Sequence, residues 1–176
     1  MLCDLIDEFQ VNSIIDFGCG DGNQASRLPQ DVPYLGLDVS PTIIKKNQKA
    51  FKLDNMKSFL TFDSMYMKNA GMFLNADMVI SLDVLYHLVE DEIYSNYLST
   101  LFEMARRYVV IYAPDDPDIE AKAPHVKIRA FTPYVEANFD SFKLVRKIEN
   151  KHFSDDAKKS GTKEWSWCDF YLYGRK

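Results

Sequence analysis

The run Asp16-Phe17-Gly18-Cys19-Gly20-Asp21-Gly22 carries the clearest chemical signal in this chain. Glycine at alternate positions leaves the main chain bare, so a ligand can approach N–H groups that a Cβ would screen, and the turn can take positive φ. About 20 residues further on, the segment Tyr34 to Asp38 ends in a carboxylate placed to accept hydrogen bonds from the hydroxyls of a ribose. Turn and acid together imply a ligand containing adenosine. The nicotinamide and flavin fingerprint, G-x-G-x-x-G, needs a third glycine where this chain has Asn23, and no Gly-Lys-Ser/Thr follows to make a phosphate-binding loop. Asp16, two residues before the first glycine, would repel a pyrophosphate and suits a cationic ammonium or sulfonium group. Cys19 reads as a small turn residue between glycines rather than a nucleophile, because no base is placed to activate it.

The elements that position these residues alternate. Leu2, Leu5, Ile6 and Phe9 have helical spacing, and Ile14 to Phe17 reads as a strand that turns at Gly18 into the next helix. Tyr34 to Asp38 is a second strand, followed by Ser40-Pro41 as a helix start running to about Phe51. Strands at about Ser58 to Phe62 and Met78 to Leu82 flank a weak helical patch. One long or broken helix is expected from Val84 to about Ala105, then a fully apolar strand, Tyr108 to Ala113. The acidic, proline-punctuated stretch from Asp115 to Pro124 reads as a long loop, of the kind that is usually functional or mobile. Thr132-Pro133 caps a short helix to about Phe139, and strands follow at Phe142 to Glu149 and Glu164 to Tyr173. Strand-helix-strand repetition implies a mostly parallel α/β sheet with helices on both faces, whose ligands sit outside the carboxyl ends of the strands. Trp165, Trp167, Tyr171 and Tyr173 share one face of the last strand and read as sheet packing rather than a base-stacking platform.

The 176 residues are one domain's worth of chain, with 47% apolar and 27% charged residues, so a buried core is expected over residues 1 to 176. The longest apolar run, Tyr108 to Ala113, is far short of a membrane span, and Asp4, Asp7 and Glu8 spoil a secretory signal. Three cysteines without a CxxC or Cys/His cluster support neither a disulfide framework nor a metal site, so a reducing cytoplasm is expected and no metal is. The net charge of −5 conceals an asymmetry: residues 1 to 121 carry −10 and residues 122 to 151 carry +4. That local basic stretch is too small for non-specific nucleic-acid binding and reads either as the wet face of an edge strand, with Lys143, Arg146, Lys147 and Lys151, or as a surface for an anionic substrate.

Asp16 to Gly22, Asp38, the step Phe62-Asp63-Ser64 and the run Ser81-Leu82-Asp83-Val84-Leu85-Tyr86-His87-Leu88 resemble the successive motifs of the class I S-adenosylmethionine-dependent methyltransferases, over about residues 13 to 113. The resemblance implies a three-layer, Rossmann-like, doubly wound sheet of seven strands ordered 3-2-1-4-5-7-6 with strand seven antiparallel. It implies S-adenosylmethionine as methyl donor, leaving as S-adenosylhomocysteine. Gly18, Cys19 and Gly20 would then line the methionine part by backbone, Asp16 would hold its ammonium directly or through water, Asp38 would hold the ribose, and Val39 would be a further cofactor contact. Asp63 and Ser64 would face the adenine, and Leu82 and Asp83 would close the site near the transferable methyl.

Methyl transfer is an in-line displacement in which the protein aligns the acceptor, and a base helps if a hydroxyl is methylated. Strand-end positions leave three candidate bases open: Asp83, His87 one helical turn on, and His125 in the loop after the fifth strand. Tyr86, His125, Arg129 and His152 are candidate acceptor contacts, with Arg129 able to bind a phosphate or carboxylate in a bidentate manner. These residues point to O-methylation of a small metabolite or saccharide bearing negative charge. A methyltransferase of RNA or protein that needs a partner chain or a second copy, and a silent nucleoside-binding scaffold, are the competing readings; a nicotinamide-dependent oxidoreductase is disfavoured by Asn23.

Overall fold

The computed structural model describes residues 1–119, 123–150 and 167–176. Seven strands form one sheet: β1 (Ile14–Phe17), β2 (Tyr34–Asp38), β3 (Lys57–Thr61), β4 (Ala76–Leu82), β5 (Ala105–Ala113), β6 (Phe142–Ile148) and β7 (Asp169–Arg175). Their order is β3-β2-β1-β4-β5-β7-β6, with β7 antiparallel to both of its neighbours and the pairs from β3 to β5 parallel. This is the Rossmann-like methyltransferase arrangement that the motifs imply. The order reverses between β1 and β4, so the carboxyl ends of those strands diverge and open the crevice where such sheets hold ligands.

Among the described residues four α-helices, α1 (Leu2–Glu8), α2 (Pro41–Ala50), α3 (Asp91–Glu103) and α4 (Phe131–Asn138), cover the two faces. Alternation along β1 decides which residues meet which layer. Ile15 and Phe17 face a cluster with Leu98, Leu101 and Phe102 of α3, while Ile14 faces Leu5 and Ile6 of α1 and Ile44 of α2. Tyr171 and Tyr173 are buried under α3 and α4, which makes their half of the aromatic stripe sheet packing. Trp165, with residues 151 to 166, lies outside the described residues.

Two local expectations change and one open alternative is decided. No α-helix follows the glycine turn; a 3-10 turn at Ala25–Arg27 stands there, because Pro29 and Pro33 leave too little chain before β2 for a helix. Of the two alternatives expected from Val84, one long helix or a broken one, the structure has the broken one: a 3-10 turn at Leu85–His87, extended backbone at Glu90, then α3. Thr132 does not cap α4, which begins one residue earlier; its N–H and hydroxyl both donate to the Asp115 carboxylate, at 2.9 and 2.6 Å, and tie the long loop to the helix. The expected cap at Ser40 does form, its hydroxyl accepting from the Ile43 N–H at 3.4 Å.

Lys143 to Lys147 lie exposed on β6 at the sheet edge, where Arg146 grips Glu8 of α1 through both guanidinium nitrogens at 2.8 and 2.6 Å. No helix among the described residues is long and apolar enough to cross a membrane.

Gly36 in β2 is required by crowding. A Cβ there would meet Phe59 at 2.6 Å and the Cys19 Sγ at 2.9 Å. Gly36→Ala should therefore destabilise the fold by about 1–3 kcal/mol, read as a lower urea midpoint with an unchanged m-value; an unshifted midpoint would show that the layer can give way.

Candidate functional site

Gly18, Gly20 and Gly22 all take positive φ, at 88°, 52° and 77°. The turn they make does not point its donors at the crevice. The N–H groups of Gly18 and Cys19 both donate to the Leu37 carbonyl at 2.8 and 3.0 Å, and that of Gly20 donates to Asp38 Oδ2 at 3.1 Å. Asn47 of α2, wholly buried, donates from Nδ2 to the Gly20 carbonyl at 2.7 Å. What the glycines provide is room. A Cβ at Gly18 would run into Val84, one at Gly22 would press on Phe51 and Asn47, and one at Gly20 would meet nothing within 4 Å. Gly20 is thus the bare, open point of the turn.

Asp38 holds two backbone amides, that of Gly20 with Oδ2 and that of Ser40 with Oδ1 at 2.8 Å, and it remains partly exposed. Val39 beside it is 63% exposed, an apolar side chain offered to solvent at the mouth of the crevice. Asp63 stands after β3 with Oδ1 on the Met65 N–H, and Ser64 is buried behind it. These residues, with Leu82 and Asp83, are brought together at the carboxyl ends of β1 to β4.

Two donor-side residues sit deeper than expected. Cys19 turns its thiol inward against Gly36 and Asn47, and burial beside Asp16 and Asp38 pushes it up to about 12, which leaves no thiolate for chemistry. Asp16 is 1% exposed, beneath the turn rather than in the crevice. Tyr34 reaches past Gly36 to donate to its Oδ2 at 2.7 Å, while Oδ1 is buried without a partner. Desolvation raises this carboxyl to about 7, against the opposing Tyr34 hydrogen bond.

On the other side of the crevice, Asp83 follows β4 in a left-handed conformation, φ 59°, with its N–H on the Tyr112 carbonyl at 3.1 Å. Its Oδ1 accepts from the Tyr86 hydroxyl at 2.8 Å and lies 3.8 Å from the Cys168 Sγ. Asp83, Tyr86, Pro114, Val126, Ile128, Trp167 and Cys168 line a cavity of about 260 Å³. Burial and the adjoining Asp83 push the Tyr86 phenol well above its ordinary range, so it stays protonated. His87 is exposed and stacks face to face on His125, with ring centroids 6.0 Å apart; neither ring lines the cavity. Of the three candidate bases the structure brings only Asp83 to it.

Arg129 is corrected as an acceptor-binding residue. Its guanidinium donates to the carbonyls of Leu88 and Val89 and to Asp91, each at 2.7 Å, and lies over the Tyr94 ring at 4.4 Å. Lys127 bonds the same carboxylate at 2.7 Å, and the two cations hold Asp91 at about 2. These side chains fasten the loop after β5 to the start of α3, which leaves no fork for an acceptor anion. His152 lies outside the described residues. Among the described residues no group of three or more His, Cys, Asp or Glu is placed to hold a metal ion.

Residues 14–107 match the family model described as a methyltransferase domain. The chain belongs to this family. It is a class I, S-adenosylmethionine-dependent methyltransferase. Among solved structures, the methyltransferase domain of bacterial CtHen1-C is 16% identical, with a TM-score of 0.74 over 99% of this chain and 94% of that one. Magnesium protoporphyrin IX methyltransferase from Synechocystis PCC 6803, solved with bound S-adenosylhomocysteine, is 19% identical, with a TM-score of 0.73 over 99% of this chain and 80% of that one. N-methyltransferase NodS from Bradyrhizobium japonicum WM9 is 17% identical, with a TM-score of 0.69 over 94% and 86%. No curated protein matches the sequence.

Asn47 and Tyr97, whose hydroxyl bonds the Phe17 carbonyl, are site-building residues that the motifs do not contain. The signal for Asn47 was an amide on the apolar face of α2, at helical spacing from Ile44 and Phe51.

The raised Asp16 carboxyl sets a pH dependence with a definite sign. The folded chain keeps this proton between about 4 and about 7 while the unfolded chain releases it, so the group's contribution to stability is full below about 4 and is lost as pH rises to about 7. Asp16→Asn should remove that loss. Urea melts of both proteins at pH 5 and 8 should show the variant gaining on the wild type at the higher pH; a constant difference would mean that Asp16 is already ionised at pH 5.

Proposed function

We propose that this methyltransferase acts on a small acceptor bound in the cavity at the ends of β4 and β5, with Asp83 taking the proton from the acceptor heteroatom. The observation that carries this reading is the Asp83–Tyr86 pair on the wall of a cavity of mixed polar and apolar lining at the ends of β4 and β5. S-adenosylmethionine supplies an electrophilic methyl group. On the donor side Gly20 gives the close approach, Asp38 has lone pairs left for the ribose hydroxyls, Val39 offers an apolar platform for the base, and Asp16 Oδ1, buried beneath the turn, is an acceptor that the donor ammonium would reach through a water. Asp63, Ser64 and Leu82 complete the wall on either side.

Tyr86 stays a neutral phenol and orients the Asp83 carboxylate by donating to it. Asp83 then accepts the proton of an acceptor hydroxyl as the new oxygen–carbon bond forms. Val126, Ile128 and Trp167 supply the apolar part of the cavity wall and favour a flat acceptor with an apolar face.

The support for an anionic acceptor falls away. Arg129 and Lys127 are committed to Asp91, and a second cavity of about 420 Å³ that shares Trp167 with the first is lined by Asp115, Asp116, Glu149 and Asp169 against Lys147. A neutral hydroxylated acceptor fits better, and O-methylation stays the favoured reaction.

A second reading, activity that depends on a partner chain, is favoured by Tyr66 and Phe73, 87% and 86% exposed on the segment between β3 and β4. One similar structure is a complex between the Haloferax volcanii Trm112 methyltransferase activator and a putative methyltransferase.

Titration with S-adenosylhomocysteine should show binding, with NAD inert, and Asp38→Ala should cost roughly 1.5–3 kcal/mol per lost charged hydrogen bond. Unchanged affinity would remove Asp38 from the donor site. Labelled methyl transfer to a panel of neutral phenols and ring alcohols should exceed that to sugar phosphates and should fall about 10²-fold or more in Asp83→Asn. Turnover confined to the phosphates would sink the acceptor assignment.

A further inference from the structure

The backbone of β1 runs out of partners at a particular atom. Its ladder with β4 ends at the pair Asp16 and Ile80, while its ladder with β2 continues to Phe17 and Leu37. The Phe17 carbonyl therefore lies beyond the last pair with β4, buried, immediately before Gly18. An unpartnered carbonyl there would leave the entry to the glycine turn without a fixed plane.

Tyr97 of α3 answers that carbonyl. Its hydroxyl donates to Phe17 O at 2.5 Å, and its ring stacks on the Phe17 ring with centroids 4.2 Å apart and planes 10° from parallel. One residue thus grips both ends of Phe17. The phenol has a single proton, already given to Phe17, so the 2.8 Å contact with Ser81 is donated by the Ser81 hydroxyl. Ser81 is fully buried in β4, two residues before Asp83. A chain of two hydrogen bonds, Ser81 to Tyr97 to Phe17, spans the gap where β1 and β4 part, directly behind the crevice.

We infer that Tyr97 is a positioning residue for donor binding, its hydroxyl setting the Phe17 peptide and with it the entry to the Gly18–Gly22 turn. The other anchors of that turn come from β2 and α2, through Leu37, Asp38 and Asn47. Tyr97 is the anchor from the opposite layer, and without it the turn is held from one side. Burial keeps the phenol protonated and able to donate throughout the working range of pH.

This inference rests on S-adenosylmethionine being the donor, and the test separates the two. Tyr97→Phe keeps the ring stack and deletes only the hydroxyl. Calorimetric titration with S-adenosylhomocysteine should show about tenfold weaker binding in Tyr97→Phe, a smaller loss in Ser81→Ala, and a double variant no worse than Tyr97→Phe alone, since both substitutions cut one chain. Leu101→Ala, one turn along the same helix, is the stability control: it should lower the urea midpoint at least as much and leave affinity within about twofold. Wild-type affinity in Tyr97→Phe, or an equal loss in Leu101→Ala, overturns the positioning role. Should Tyr97→Phe not fold, Ser81→Ala binding as tightly as wild type overturns it. A wild-type chain that does not bind the ligand removes the donor assignment itself, and this inference with it.

Discussion

The Leu37 carbonyl, which takes the N–H groups of both Gly18 and Cys19, is the contact on which the rest of the site depends. It fastens the glycine turn to β2 before any ligand arrives, and Asp38, Asn47 and Tyr97 then fix the remaining polar atoms around it. Because these groups are satisfied internally, the turn enters binding already ordered, and the association does not bear the cost of ordering it. The same bonding means that the turn recognises a ligand by the space it leaves rather than by its amides. In the proposed donor site, specificity then comes from the carboxylates around that space and from the apolar platform at Val39.

The short connection after the turn has a matching effect on the opposite layer. With only a 3-10 turn between Gly22 and β2, no helix from that connection covers the inner strands, and the face holding Ile14, Met78 and Val110 is closed by Leu5 and Ile6 of α1 instead. The Arg146–Glu8 pair then ties α1 to β6 at the far sheet edge. The first residues of the chain therefore do the work of a core helix, although their sequence reads only as a short amphipathic stretch.

Much of the architecture was legible in the sequence because strand ends coincide with marked residues. β1 stops at the first glycine, β2 at Asp38 and α2 begins at Ser40-Pro41, and at each of these places local chemistry and tertiary structure agree. Prediction failed where the decisive partner was distant in sequence. Arg129 looked like a free anion clamp until Leu88, Val89 and Asp91, some 40 residues earlier, were found around it. Thr132 looked like a helix cap until Asp115 claimed it. The position of Asp16 before the glycine turn is plain in the sequence, but its burial and its hydrogen bond from Tyr34, 18 residues on, are not encoded by any local pattern. Tyr97 left no mark, since a tyrosine on an amphipathic helix reads as core.

Asp83 holds left-handed backbone without being glycine, and residues so held cost of order 1–3 kcal/mol that the surrounding structure must offset. Glycine would relieve that strain and would delete the proposed base, the one carboxylate among the described residues that line the cavity. If Asp83 is the base proposed above, any programme of directed evolution that selects this enzyme for heat resistance alone will be drawn toward a sturdier protein that has lost it, and position 83 is where selection for endurance and selection for turnover pull apart.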